Sequence, residues 1–308
     1  MALPMNMAGP WPPEIVTPDF WPAREAQYRR LLEGLENGRV ETIGRSAGGR
    51  ELWAVTYRRS EEAPTFCVLG GMHGHEAQGP AACFNLLSLL ESGADLKGQA
   101  GPEFPEINYV VVPIINPDAR ARMLNSFVGL SVQDVLNYDA GRTRAGERNA
   151  RSGDVSPEEM LILGGLYNDR GVDLIRHNDS QAIGSPELEA IFAFIGRTRP
   201  DVCLELHAHC AAPQFYCPLA PLPAEAQQRQ IALTEAIITE GSEAGYEFAA
   251  NTGEVAGLST ALYHQVGGAL PFLFESPQGV VDAGPQWDHA RIIDVNLFVM
   301  SRLARSLV

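Results

Sequence analysis

Residues 70–80 read Gly-Gly-Met-His-Gly-His-Glu-Ala-Gln-Gly-Pro, so His73, His75 and Glu76 fall almost side by side. The stretch lies between two apolar runs, TFCVLGG and AACFNLLSLL. The same residue types recur twice more: His207 and His209 follow the run DVCLEL, and Glu275 stands near the end of GALPFLF. A tight glycine-containing loop can turn both members of the H-x-x-E pair, His73 and Glu76, toward one point. His207 can close the set from a neighbouring strand. Two imidazoles and a carboxylate suit a catalytic zinc, which takes three protein ligands and keeps a position for water whose pKa falls to about 7. A carboxylate beside that water, Glu275, is the right group to take its proton and return it to a leaving amine. Singly, each residue is ordinary: a loop histidine is usually solvated, and H-x-x-E spacing arises by chance. The argument lies in their placement at the ends of three predicted strands.

Those strands are the runs TFCVLGG, DVCLELHAH and GALPFLFES, with a fourth in INYVVVPIIN. Each is rich in β-branched or aromatic residues and bounded by Gly, Pro, Asn or charge, as buried strands are. ELWAVTYRR alternates and reads as a further strand. AREAQYRRLLEGLENG reads as an amphipathic helix ended by glycine. Further helices are predicted over 80–91, 186–197, 224–244 and 288–307, with Ser185 capping the second of these and Pro186 at its first position. The alternation predicts an α/β fold: one domain over residues 1–308, with a mixed, mostly parallel sheet covered by helices on both faces. In such sheets ligands gather at the carboxyl ends of strands, which is where the His and Glu residues fall, together with Asn116 and Asp118 after INYVVVPII. The Pro-rich residues 1–22 are expected to form an arm packed on the domain. Residues 119–171, rich in Arg, Asn and Gly, are expected to be a loop-rich functional insertion.

Composition narrows the partners. The chain has 308 residues and a formal net charge of −15, which repels phosphate backbones and anionic lipid and so disfavours nucleic acid and membrane surfaces as partners. Lys97 is the only lysine, so any anion site must use arginine, whose planar fork suits carboxylates. The five cysteines form no CxxC pair, which argues against a disulfide framework or a zinc ribbon. A site built from Cys203, His209, Cys210 and Cys217 is disfavoured because adjacent strand residues point to opposite faces. No signal peptide is visible, and no apolar run reaches the roughly 18 residues of a membrane span; a cytoplasmic location is the expectation.

Taken in order, GGMHGHEAQGP, VVPIINPDARAR, GVDLIR, LELHAH and PFLFES resemble the zinc carboxypeptidase superfamily, and ETIGRSAGGREL is similar to its opening strands. The resemblance spans roughly residues 41–305. It implies a central mixed sheet of about eight strands and one zinc ion held by His73, Glu76 and His207, with Glu275 as general base. It implies that Arg176 grips the substrate carboxylate and that Asp173 supports a zinc-ligating histidine from behind. An arginine upstream is expected to polarise the scissile carbonyl; Arg120, Arg122, Arg142 and Arg144 are candidates, and Arg122 is favoured because it lies just past the NPD turn. His75 is not a ligand in this reading; it lines the cleft or hydrogen-bonds the loop. The pattern departs at Ile175, where the family commonly has an asparagine that assists carboxylate binding. No tyrosine is assigned to close over substrate, since Tyr263 has the wrong spacing.

The implied activity is zinc-dependent hydrolysis of amide bonds, as a metallocarboxypeptidase acting on small peptides. The first alternative is an N-acyl amino-acid deacylase, similar to the aspartoacylase and succinylglutamate desuccinylase branch, and trimming of cell-wall peptides is a further one. A non-catalytic binding module on the same fold would be expected to have lost a ligand or the base; all four positions are filled.

Overall fold

The strand that leads into His73 and the strand that carries His207 lie next to each other at the centre of the sheet. The computed structural model describes residues 15–150, 153–177, 185–219, 222–249 and 258–308. Along the chain these form α1 (Glu25–Glu33), β1 (Arg39–Arg45), β2 (Glu51–Tyr57), β3 (Thr65–Leu69), α2 (Gln78–Ser92), β4 (Asn108–Val112), α3 (Pro117–Arg122), α4 (Val132–Tyr138), β5 (Gly141–Thr143), β6 (Met160–Leu163), α5 (Pro186–Thr198), β7 (Val202–Cys210), β8 (Gln214–Tyr216), α6 (Ala224–Glu243), α7 (Leu258–Val266), β9 (Leu270–Pro277) and α8 (His289–Arg305). Seven strands make the main sheet in the order β1-β2-β4-β3-β7-β9-β8, where about eight were expected. Its centre, β4-β3-β7-β9, is parallel, and both flanks are antiparallel. From β3 the chain crosses through α2 to β4 on one side, while β7 lies on the other. The crevice between β3 and β7 is therefore a topological switch point, where open α/β sheets bind their ligands.

Strand alternation sorts the core into two layers. Phe66 and Val68 of β3 face the layer built with α2 and α8, while Cys67 and Leu69 face the layer built with α5 and α7. The apolar residues of α2 and α8 pack on each other as well as on the sheet. Each such Leu, Val or Phe contributes roughly 1.5–3 kcal/mol by leaving water. Ser185 caps α5 as expected, accepting from the Leu188 N–H, with Pro186 in the first turn. Cys67, Cys83, Cys203 and Cys217 are free and buried, as small core residues.

The described residues of the segment 119–171 combine loops with short elements. They carry α3, α4 and a two-stranded sheet, β5-β6. Ser131 and Asp134 close a capping box at the start of α4. Of the N-terminal arm, residues 1–14 lie outside the described residues; beyond them Trp21 is fully buried and donates through Nε1 to the Asn125 carbonyl. Among the described residues no helix is long and apolar enough to cross a membrane.

Candidate metal centre

The parallel ladder between β3 and β4 runs past the strand ends, with Ile115 N–H donating to the Gly70 carbonyl and Asn116 N–H to that of Gly71. The chain then turns sharply, and Glu76 N–H donates to the His73 carbonyl at 3.2 Å. This single turn puts the side chains at positions i and i+3 on one side, which is why H-x-x-E spacing converges. The turn is gripped from outside: Gly74 N–H donates to the Gly165 carbonyl at 2.7 Å, and the Gly74 carbonyl accepts from Arg120 Nη1 at 2.6 Å. A Cβ on Gly74 would stand 2.3 Å from the Ala119 backbone, so only glycine allows α3 this close.

His73 Nδ1 lies 2.8 Å from Glu76 Oε1, and His207 Nδ1 lies 3.1 Å from Glu76 Oε2. The two rings meet edge to face at 4.8 Å. Ligand atoms of His73, Glu76 and His207 all fall within 4.8 Å of one another, and all three residues are buried. Both Nδ1 atoms thus face the two oxygens of one carboxylate, a donor set that fits a tetrahedral zinc ion. Glu275 sits beside it: in the β7–β9 register it pairs with His207, and its buried Oε2 has no hydrogen-bond partner. The register shifts after His207, and the Ala208 carbonyl is met instead by Gln278 Nε2 at 2.6 Å, which ties the two strand ends together.

The charges in this cluster set one another. Burial opposes ionisation of Glu76, but His73 and His207 outweigh it and hold the carboxyl well below its usual range. Burial also disfavours charge on His207, yet Glu76 and Glu205 on either side outweigh it and hold the imidazole well above its ordinary value. Burial, reinforced by Glu76, pushes Glu275 up to about 7 against the pull of His207 and His73. His75 is pushed down to about 3 by burial, with His73, His209 and Arg120 adding to the shift and Glu76 opposing it.

Glu205 was not singled out from the sequence. Its Oε1 lies 2.9 Å from His207 Nε2, and the residue is fully buried. The signal was present, since Glu205, His207 and His209 alternate onto one face of β7. This carboxylate grips the His207 ring nitrogen that points away from Glu76. Asp173, expected in that role, is buried at a bridge with Tyr167, and its N–H donates to Asp154. His73 Nε2 is buried with no hydrogen-bond partner.

The candidate arginines are all engaged. Arg120 is fully enclosed and donates to the Gly74, Met123 and Leu124 carbonyls. Arg122 pairs with Asp169 and donates to the Tyr167 carbonyl. Arg142 bonds Asn137 and the Gly146 carbonyl, and Arg144 the Glu158 carbonyl. Arg176 has its backbone in a short 3-10 helix, Leu174–His177, but its side chain lies outside the described residues, as does that of Cys210. Asn116 caps α3, accepting from the Ala119 N–H. Asp118 is a buried strut: it accepts from Ser46 Oγ, Gly48 N–H, Arg50 Nη1 and Asp169 N–H. Neither Asn116 nor Asp118 reaches the cluster through a described contact; both hold the surrounding loops.

A zinc carboxypeptidase family model, Peptidase M14, matches residues 36–211. No curated protein matches the chain in sequence. Among solved structures, a metallo-carboxypeptidase from Burkholderia cenocepacia superposes with a TM-score of 0.64 at 16% identity, covering 92% of this chain and 69% of that one. A metallo-carboxypeptidase from Pseudomonas aeruginosa, in complex with (2-guanidinoethylmercapto)succinic acid, superposes with a TM-score of 0.61 at 18% identity, covering 92% and 69%. Carboxypeptidase A from Helicoverpa armigera gives a TM-score of 0.56 at 16% identity, covering 92% and 71%. At these identities the structural likeness speaks for the fold.

Proposed function

Because the chain belongs to the zinc carboxypeptidase family, we propose that it is a zinc-dependent amide hydrolase, acting as a carboxypeptidase on small peptides with a free carboxylate. The observation that carries this reading is the meeting of His73, Glu76 and His207 beside the buried Glu275. When bound, zinc supplies Lewis acidity toward the scissile carbonyl and lowers the pKa of water to about 7. His73 and Glu76 hold it from the loop after β3, and His207 from β7. Glu205 keeps the His207 ring turned with Nδ1 inward, and Asp173 is assigned, on the family pattern, to the support of a zinc-ligating histidine. Glu275 accepts the proton of the attacking water at its carboxylate and delivers it to the leaving nitrogen. Arg176 is assigned to the substrate carboxylate. Arg122 is assigned to the carbonyl oxygen; in that role its guanidinium must let go of Asp169.

Ile175 favours a second reading. An aliphatic side chain stands where the family pattern has an asparagine, which weakens a two-residue grip on a terminal carboxylate and admits an N-acyl amino-acid deacylase. One assay set separates the two: N-blocked peptides with a free carboxyl end, the same peptides amidated, and N-acyl amino acids. The carboxypeptidase reading expects cleavage of the first group alone. Glu275→Gln is expected to keep zinc and lose turnover by at least about 100-fold. Wild-type turnover in that variant, or no hydrolysis of any of the three groups by zinc-loaded protein, would overturn the proposal.

A further inference from the structure

Both strand ends carry His-x-His, His73 with His75 and His207 with His209. One member of each pair joins Glu76 in the centre described above; the second members are left over, and they too converge on Glu76. Ligand atoms of His75, Glu76 and His209 all lie within 4.8 Å of one another. The ring of His75 stacks on that of His73 at 5.7 Å with an interplanar angle of 11°. His209 follows His207 by two positions on β7 and so projects from the same face.

His75 is the telling residue. It is only 2% exposed, and among the described residues no hydrogen bond reaches either ring nitrogen. Nδ1 is buried against Gly165, with no partner. Nε2 stands 3.7 Å from Glu76 Oε1, beyond hydrogen-bond reach. A buried polar group left so costs about 1–3 kcal/mol, and the expected role of bonding the loop is not what this side chain does. Two ligands each about 2.0–2.2 Å from one zinc-like ion stand roughly 3.3–3.6 Å apart at tetrahedral angles, close to the spacing found. The outer ligand, His209, is exposed, which provides an entry path.

We propose that His75, His209 and Glu76 form a second divalent-cation site, with the Glu76 carboxylate bridging it to the first. Nitrogen and carboxylate donors select zinc, cobalt or nickel over magnesium or calcium. Carboxylate-bridged pairs of this kind sit about 3.5–4 Å apart. The outer ion is held more weakly, since one ligand is shared and another is exposed. The inference rests on the proposed function only through the shared Glu76.

The test is titration of the chelator-stripped full chain with cobalt chloride, followed by visible absorption and calorimetry. Wild type is expected to bind two ions in separate steps. His209→Ala and His75→Gln should each remove the weaker step and keep the tighter one, whereas His207→Ala should remove the tighter. Saturation of wild type at one ion would overturn the second site while leaving the first. A second step that survives in His209→Ala, or the loss of both steps in that variant, would also overturn it. Absence of any tight step that depends on His207 would instead overturn the hydrolase reading.

Discussion

The ends of β3, β7 and β9 and the long excursion from α3 to β6 meet at the same loop, yet they are built on opposite principles. At the strand ends, side chains do the work and the backbone is already satisfied by the ladder: His73, Glu76, His207 and Glu275 turn toward one another from a frame that the sheet fixes. In the excursion the backbone takes up the side chains. Arg120, Arg122, Arg142 and Arg144 all donate to main-chain carbonyls, and Asp118 accepts from two backbone N–H groups as well as Ser46 and Arg50. The contrast teaches that charged residues near a centre are not equally available to it. Groups at the strand ends already turn into the centre, while groups in a segment with little sheet of its own hold that segment in place and, like Arg122 with Asp169, must leave a partner before they can serve elsewhere.

The contrast can be broken from either side. The largest effect is expected at Asp118, on the excursion side. Asp118→Ala leaves Arg50 with Asp169 alone and strands the Gly48 N–H, and should lower unfolding stability by about 3 kcal/mol. Its zinc affinity should stay close to wild type, as measured by denaturant unfolding beside competitive chelation. On the strand side the pattern should invert. Glu205→Gln removes the carboxylate behind His207 and should weaken zinc binding by about 10–100-fold while changing apo stability less than Asp118→Ala does. If Asp118→Ala lost zinc and Glu205→Gln did not, the division of labour would be wrong.

Gly165 marks the contact between the two regions, and a side chain there should disturb both. An added Cβ would stand 2.5 Å from His75 Nδ1 and 2.7 Å from the His75 backbone nitrogen. Gly165→Ala should therefore cost roughly 1–3 kcal/mol of stability through overpacking, together with a measurable fall in zinc affinity. A variant as stable as wild type would show that the loop is not clamped there.

The smallest effect serves as an outside control. His289 packs edge-on against Trp21 and bonds Ser126 Oγ, and burial holds its imidazole below the ordinary value. The sign follows from linkage: stability from this group is present above its unfolded pKa of about 6.5 and is lost as pH falls below it. Replacing it with glutamine should flatten the fall in stability between about pH 7 and 5.5, without touching zinc affinity. A steeper fall in the variant would contradict the assignment.

The same contrast explains what could be read in advance. The strands that carry chemistry are apolar runs with sharp polar ends, so β3, β7 and β9 and the residues after them were legible. Ser185 and Pro186 announced α5 because capping is local. By contrast, β8 has three residues and owes its existence to pairing with β9. The partners of Arg120 and Arg122 are carbonyls and a carboxylate brought together by folding, which no spacing in the sequence reveals. The Ser131–Asp134 box before α4 is a local signal in the sequence, and the two-residue period puts Glu205 on the face of His207, although the bond to its ring nitrogen emerges only in the fold.

The central claim is that the loop after β3 and the end of β7 enclose one catalytic zinc. Anomalous diffraction at the zinc absorption edge, on crystals of the zinc-loaded chain, tests it most directly. The strongest peak is expected among His73 Nδ1, His207 Nδ1 and the Glu76 carboxylate, with Glu275 beside it. A strongest peak elsewhere, or none after zinc loading, would contradict the account.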